Sequence, residues 1–293
     1  MSLGYDRPLY ILAFDHRTSF ATKMFGITGE PTAADRERMA EAKRIIAQGL
    51  LAVADTADRS ELGALTDEEN GAAAAREAKA SGLTLALAAE KSSQPEFDFE
   101  YGEQFGEHIE AFEPDFVKVL VRYNPEGDAE MNRRQAARLA QLSDWLAPRD
   151  TKYLFELIDP LEPGQAAEQR PQLVVQAIEE LHAAGVEPDV WKVEGMTSAD
   201  DYRRVAAAAR ADGRDQVGCV VLGAGADEAT VAHWLEEAAQ VEGFIGFAIG
   251  RTIFWEPLSQ WRDGSIDADT AATQIADNYR RTVELYAGAK QVA

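Results

Sequence analysis

Three charged residues occupy positions where a buried strand should be apolar: Lys118 in "DFVKVLVRY", Glu156 in "KYLFELI" and Lys192 in "DVWKVEG". Taking such groups out of water costs several kcal/mol unless they are paired or lose their charge through a shifted pKa. They follow one another at intervals of 38 and 36 residues. A desolvated lysine beside a second cation gives up its proton more readily, and a neutral amine attacks a ketone to form a carbinolamine and then an iminium. Lys192, with Lys118 nearby, meets both conditions. Glu156, together with Asp15 at the end of "PLYILAFD", can carry the protons those steps require. An iminium draws electrons from the adjoining C–C bond, which breaks once the β-hydroxyl is deprotonated. This is Schiff-base aldol cleavage, and it requires no metal. The competing reading is an ion pair that merely satisfies itself, such as Lys118 with Glu156. Buried ion pairs stabilise poorly, so two lysines and several carboxylates converging on one place favour function.

The elements that must hold these groups are legible in the alternation of the chain. Short apolar runs cover residues 8–15, 62–67, 83–90, 115–123, 152–158, 189–195, 218–225 and 243–250. Helical patterns follow at about 31–53, up to Ala80, a short stretch before residue 115, then about 129–147, 171–184, 198–211, 227–239 and 267–288. Thr28 and Thr32 are the candidate caps of the first helix. The runs are apolar on both faces, as parallel strands covered by helices must be. Eight such units in 293 residues indicate an α/β protein built as one (β/α)8 barrel rather than a doubly wound sheet. For the second strand, "LLAVAD" (50–55) competes with "LGALTD" (62–67). One domain over residues 1–293 is expected, with Met1 to Leu3 given no structural weight and consistent with an expression scar.

Barrel enzymes draw their functional groups from strand C-termini and the loops that follow. Asp15 then ends the first strand, and Glu90 and Lys91 end the third. Lys118, Glu156 and Lys192 are expected at similar heights on the fourth, fifth and sixth strands, pointing inward. Alternation puts Arg122 on the face of Lys118 and Glu194 on the face of Lys192. "VLGAGADE" and "FAIGRTIFW" follow the seventh and eighth strands. There the backbone N–H groups of Gly223, Gly225 and Gly250 can approach a phosphate and Arg251 can clamp it. The aromatic-acidic loop "QPEFDFEYG" is either a lid or a packed loop. Cys219 reads as a small core residue, and Trp255 and Trp261 as outer-barrel or subunit-contact residues.

Composition narrows the functional classes. The formal charge of −22 opposes binding to nucleic acid and anionic membranes, and a phosphorylated ligand needs a local cationic pocket. The single cysteine rules out an internal disulfide and a structural thiolate zinc site. Of four histidines, His108, His182 and His233 fall in helical patterns and are expected at the surface. Only His16 lies near the presumed site, so a three-histidine zinc centre is not expected. Asp15 or Glu90 would suit a magnesium ion, but nothing demands one. No metal and no cofactor are expected. No apolar stretch is long enough to span a bilayer and no secretory pattern is visible, so a cytoplasmic location is expected. Assembly into a homo-oligomer is compatible with the fold class, although no strip of sequence marks an interface.

The motifs "PLYILAFDHRTSF…KMFG", "AAEKSSQPEFDFEYG", "VKVLVRYNPEGD", "VWKVEG" and "GFIGFAIGRTIFWEP" resemble one family along nearly the whole chain. It is the aldolase domain found fused to 5-dehydro-2-deoxygluconokinase in inositol catabolism, long labelled a domain of unknown function. More distantly the chain is similar to class I tagatose-bisphosphate and sulfofructosephosphate aldolases. The resemblance implies Lys192 as the Schiff-base lysine, Glu156 as the proton-transfer glutamate and Lys118 beside it. It further implies Asp15, Arg17, Glu90 and Lys91 as site residues and Arg251 as the anion-binding arginine. The implied reaction cleaves 2-deoxy-5-keto-gluconate 6-phosphate to malonate semialdehyde and dihydroxyacetone phosphate. A carboxylate on that substrate would call on Arg17, Lys91 or Arg122. Two alternatives stand beside it: another phosphoketose as substrate of the same mechanism, or a non-catalytic phosphosugar-binding barrel.

Overall fold

A computed structural model describes residues 2–55, 57–158, 161 and 165–292. Eight parallel strands pair in sequence order and close on themselves: β1 (Leu9–Ala13), β2 (Leu62–Thr66), β3 (Thr84–Ala88), β4 (Phe116–Arg122), β5 (Lys152–Ile158), β6 (Val190–Glu194), β7 (Gly218–Leu222) and β8 (Phe244–Ile249). The helices are α1 (Ala33–Ala54), α2 (Glu68–Ala80), α3 (Phe105–Glu110), α4 (Ala129–Leu146), α5 (Arg170–Ala183), α6 (Ala199–Ala209), α7 (Glu228–Ala239), α8 (Arg251–Arg262) and α9 (Ala268–Val292). The chain folds as a (β/α)8 TIM barrel, as the alternation of apolar runs predicts. The second strand is "LGALT"; the competing run at 50–55 forms the end of α1. That helix begins at Thr32, whose side chain and Asp35 cap each other reciprocally, so of the two candidate caps Thr32 is the one used.

The period-2 pattern of the strands sorts their residues into two sets. Leu9, Ile11, Leu65, Phe116, Leu154, Val190, Val220 and Ala248 pack together as an interior plug. The intervening residues, such as Val117, Val119, Phe155 and Trp191, face the helices in the larger outer core. Lys118, Glu156 and Lys192 each come two residues after a member of the plug. They therefore point inward on its C-terminal side.

Helix α8 is an element that the sequence pattern did not reveal, because Pro257 sits inside it. Proline removes the N–H that would bond the carbonyl four residues earlier. Here the Ile253 carbonyl accepts instead from Asn278 Nδ2 of α9 at 2.8 Å. Trp255 and Trp261 lie on α8, partly buried against the outer core. Cys219 is a buried core residue of β7, and burial pushes its thiol up to about 12. No helix among the described residues is long and apolar enough to cross a membrane.

Candidate active site

At the C-terminal end of the barrel, Lys118 is the hub of a buried charge cluster. Its ammonium lies 2.6 Å from Asp15 Oδ2, 3.0 Å from Glu90 Oε1 and 2.9 Å from Glu156 Oε2. The ammonium donates hydrogen bonds to Asp15 and Glu90, and Glu156 adds a third carboxylate as an ion pair. Burial alone would depress the Lys118 pKa, but the charges of Asp15, Glu156 and Glu90 reverse this and hold it above its ordinary value. Lys118 is a fixed, fully engaged cation.

Lys192 is bound differently. Its Nζ lies 2.9 Å from Glu156 Oε1, so Glu156 carries one ammonium on each oxygen. The pairing register explains the geometry: Glu156 on β5 stands directly beside Lys192 on β6. Lys118 pairs with Leu154 instead, one inward step before Glu156. The similar heights expected for all three therefore hold strictly for Glu156 and Lys192, while the long side chain of Lys118 spans the offset to the same carboxylate.

Burial works against the carboxylates, but Asp15 and Glu156 are nonetheless held below the ordinary range by the Lys118 and Lys192 charges. Glu90 goes the other way. Burial raises it, and although Lys118 and Arg17 oppose the rise, the nearby Asp15 charge supports it. Arg17 is itself committed, donating to Glu90 at 2.9 Å and to Glu100 at 3.1 Å. Four carboxylates, counting Glu100, and three cations thus share a small volume.

The cavity over this cluster is lined by Asp15, His16, Arg17, Glu90, Lys91, Lys118, Arg122, Glu156 and Lys192, together with Ser19, Ser92, Ser93, Gln94, Glu96, Phe97 and Leu120. Every catalytic candidate from the sequence is here, as are four of the substrate-binding candidates. Lys91 and Arg122 have no ion pair among the described residues. Arg122 donates to the Gln94 carbonyl at 3.1 Å. Glu194, placed by alternation on the face of Lys192, lies 3.6 Å from Arg170.

The other four candidates form a neighbouring group outside that lining. Arg251, the first residue of α8, donates to the Ala224 carbonyl at 2.7 Å. Gly225, at φ +78°, lies beneath its guanidinium, where an added Cβ would come within 2.6 Å of Cζ. Gly223 begins the same turn. Gly250 presses against the Ala13 carbonyl so closely that no Cβ fits. Gly250 therefore has a steric reason to be there, and Gly225 a conformational one in its positive φ, both independent of any ligand.

The loop after β3 is a wall rather than a lid. Glu90 and Phe99 form an antiparallel bridge, and Phe97, Phe99 and Phe105 pack ring on ring. Glu96 is gripped by Arg134 at 2.7 Å and Arg138 at 2.6 Å, which together hold its carboxyl down at about 2. The Phe97 amide donates to Gln135 Oε1 at 3.0 Å. Gln94, Glu96 and Phe97 consequently face the cavity from a fixed backbone.

The sequence brings His16 near the site only as a possible metal ligand, and in the structure it lines the cavity with Asp15 and Arg17. Its position directly after Asp15 was the available signal. Burial, aided by the Arg251 and Lys192 charges and opposed by Asp15 and Glu156, lowers its pKa to about 4. The remaining histidines lie elsewhere. His108 stacks on Tyr101 and meets Glu68 at 2.9 Å, His182 packs against Trp191, and His233 lies by the Thr197 carbonyl. Only His233 is exposed. His108 and His182 are partly buried, so the surface placement expected for the three holds in full only for His233.

A family model described as "Uncharacterized protein conserved in bacteria (DUF2090)" matches residues 5–290. The chain belongs to this family. No curated protein sequence matches it. Among solved structures, a fructose-bisphosphate aldolase from Plasmodium falciparum, solved with TRAP and a small-molecule inhibitor, superposes with a TM-score of 0.69 at 14% identity. That match covers 98% of this chain and 92% of the other. A second, solved for the reaction intermediates of a Schiff-base-forming fructose-1,6-bisphosphate aldolase, gives 0.57 at 15% identity and covers 95% and 94%. At such identities the likeness is one of fold.

Proposed function

We propose that this DUF2090 member is a class I, Schiff-base-forming aldolase acting on a phosphorylated keto sugar acid, with 2-deoxy-5-keto-gluconate 6-phosphate as the first substrate to test. The observation that carries the reading is the asymmetry between the two lysines. Among the described residues, Lys118 is engaged by three carboxylates, whereas Lys192 faces a single one, Glu156, and opens onto the cavity. The Glu156 carboxylate can take the Lys192 ammonium proton, leaving the amine free to attack a ketone, and return it to the carbinolamine hydroxyl as water departs. Lys118 stays charged beside them and stabilises Asp15 and Glu156 as anions while the iminium forms. The shared fold with two fructose-bisphosphate aldolases supports the reaction class. The substrate guess comes from the sequence resemblance.

Lys91 and Arg122, unpaired at the cavity rim, are the groups suited to the substrate carboxylate, since Arg17 is already spent on Glu90 and Glu100. Arg251 with Gly223, Gly225 and Gly250 is the suggested phosphate site, beside the lined cavity on the side of His16. The catalytic set is Lys192, Glu156, Lys118 and Asp15.

Borohydride reduction in the presence of dihydroxyacetone phosphate, followed by peptide mapping, tests the reading. A reduced adduct on Lys192 is expected. Binding of the phosphate without an adduct would replace the aldolase by a phosphosugar-binding barrel.

A further inference from the structure

His16 lines the same cavity as Lys192 and Glu156, yet its imidazole makes no hydrogen bond or ion pair with the described residues. Its Nδ1 is buried without a partner, an uncommon state for a polar atom and one that asks for a cause. The ring is held edge-on to Phe254, with centroids 6.1 Å apart at 73°. Charges reach it from four sides: Asp15 next to it, Lys192 on β6, Glu156 on β5 and Arg251 at the head of α8.

Aldol cleavage needs a base for the substrate's β-hydroxyl and an acid for the enamine carbon. The carboxylates are poorly placed to do both, because Asp15 and Glu156 are held below the ordinary range by the lysine charges and Glu90 is taken up by both Lys118 and Arg17. We propose that His16 is the proton shuttle of the cleavage, taking the proton from the β-hydroxyl and delivering it to the enamine carbon. This rests on the Schiff-base reading above.

The steps balance within the site. The neutral imidazole accepts the hydroxyl proton. The O–H electron pair becomes the second bond of the departing aldehyde, the Cα–Cβ pair becomes the enamine double bond, and the iminium π pair moves onto the Lys192 nitrogen. The imidazolium then gives the same proton to Cα, which restores the iminium and the neutral ring. One proton passes from oxygen to carbon through one side chain, with no further reactant. A ring kept neutral by burial is available as the base, and its imidazolium, once formed, is a strong donor toward carbon.

Dihydroxyacetone phosphate in D2O provides the test, because an enzyme that forms the enamine exchanges a hydrogen of the hydroxymethyl carbon, read by proton NMR. His16→Asn and His16→Phe are compared with the unaltered protein, the phenylalanine keeping the packing against Phe254. The expected result is exchange slowed by roughly 10²-fold or more, with borohydride trapping on Lys192 retained. Undiminished exchange with trapping intact in either variant overturns the proposal. Loss of trapping together with exchange, in variants whose thermal unfolding is unchanged, also overturns it, because His16 would then act before the enamine exists. Absence of trapping in the unaltered protein is read separately and removes the Schiff-base reading itself.

Discussion

Glu156 stands in direct register with Lys192 across β5 and β6, and the two side chains meet at 2.9 Å on the inside of the barrel. The other oxygen of the same carboxylate holds Lys118. One glutamate thereby links a saturated cation to a cation with a single partner, and the consequences of breaking each contact differ.

Lys192→Met should abolish the reduced adduct within the charge cluster, since Lys118 is engaged by three carboxylates, and peptide mapping distinguishes any adduct on Lys91 at the rim. Glu156→Gln should leave a slow residual adduct and lower turnover by roughly 10²- to 10⁴-fold, the usual worth of a positioned acid–base group. Trapping followed by mass mapping separates the two. Equal adduct yield in both variants would argue against the proton-transfer role.

Lys118→Met should damage the fold rather than only the chemistry. It leaves Asp15, Glu90 and Glu156 buried without their common cation, and breaking a buried pair on one side costs about 3–5 kcal/mol. Urea unfolding at pH 7 measures this. The variant should regain part of the loss as the pH is lowered toward 5, because carboxylates deprived of their cation bind protons more readily when buried. In the unaltered protein Lys118 holds Asp15 and Glu156 low, so their contribution to any such gain is absent.

The acid side of the stability profile has a second contributor. Burial is the main cause that lowers both His16 and His182 to about 4 from 6.5. Both bind protons in the unfolded chain at a pH where the folded protein keeps them neutral. The unfolded state therefore holds more protons between about 6.5 and 4, and stability falls as pH falls through that window. Asp15 and Glu156, held low by the lysines, add their loss only below the ordinary carboxylate range near 4. His182→Asn should make the slope of unfolding free energy against pH shallower between 6.5 and 4.5 and leave its course below 4 unchanged. An unaltered slope would mean that His182 titrates normally.

Gly250→Ala should destabilise by about 1–3 kcal/mol, because its Cβ would run into the Ala13 carbonyl where β8 turns into α8. Its φ of −128° lies outside the left-handed region, and the clash with the Ala13 carbonyl carries the penalty. Gly264→Ala is the useful contrast. Its φ is +76° with nothing within 4 Å, so the cost there is one of backbone strain alone. Thermal unfolding of the two variants compares these causes.

Much of the architecture is written locally in the chain. Apolar runs of strand length, alternating with helical patterns, are enough to number the eight units, because a parallel strand covered on both faces leaves no polar positions to confuse it. The same logic exposes Lys118, Glu156 and Lys192: a charge inside such a run has no solvent to face. Helix α8 escaped because its proline is tolerated only through a contact with α9, and no local pattern encodes a carbonyl accepted by Asn278.

The sequence by itself determined the barrel and the inward placement of the charged residues, since strand alternation is a property of neighbours two residues apart. Tertiary structure alone decided which charges meet. Asp15 and Lys118 are 103 residues apart in sequence and 2.6 Å apart in space, and only closure of the sheet brings them together. The register offset between β4 and β5 sends Lys118 to three carboxylates and leaves Lys192 with one. Two lysines of the same type in similar apolar runs become a fixed charge and a candidate nucleophile, because the difference lies in their partners across the barrel and not in the residues beside them.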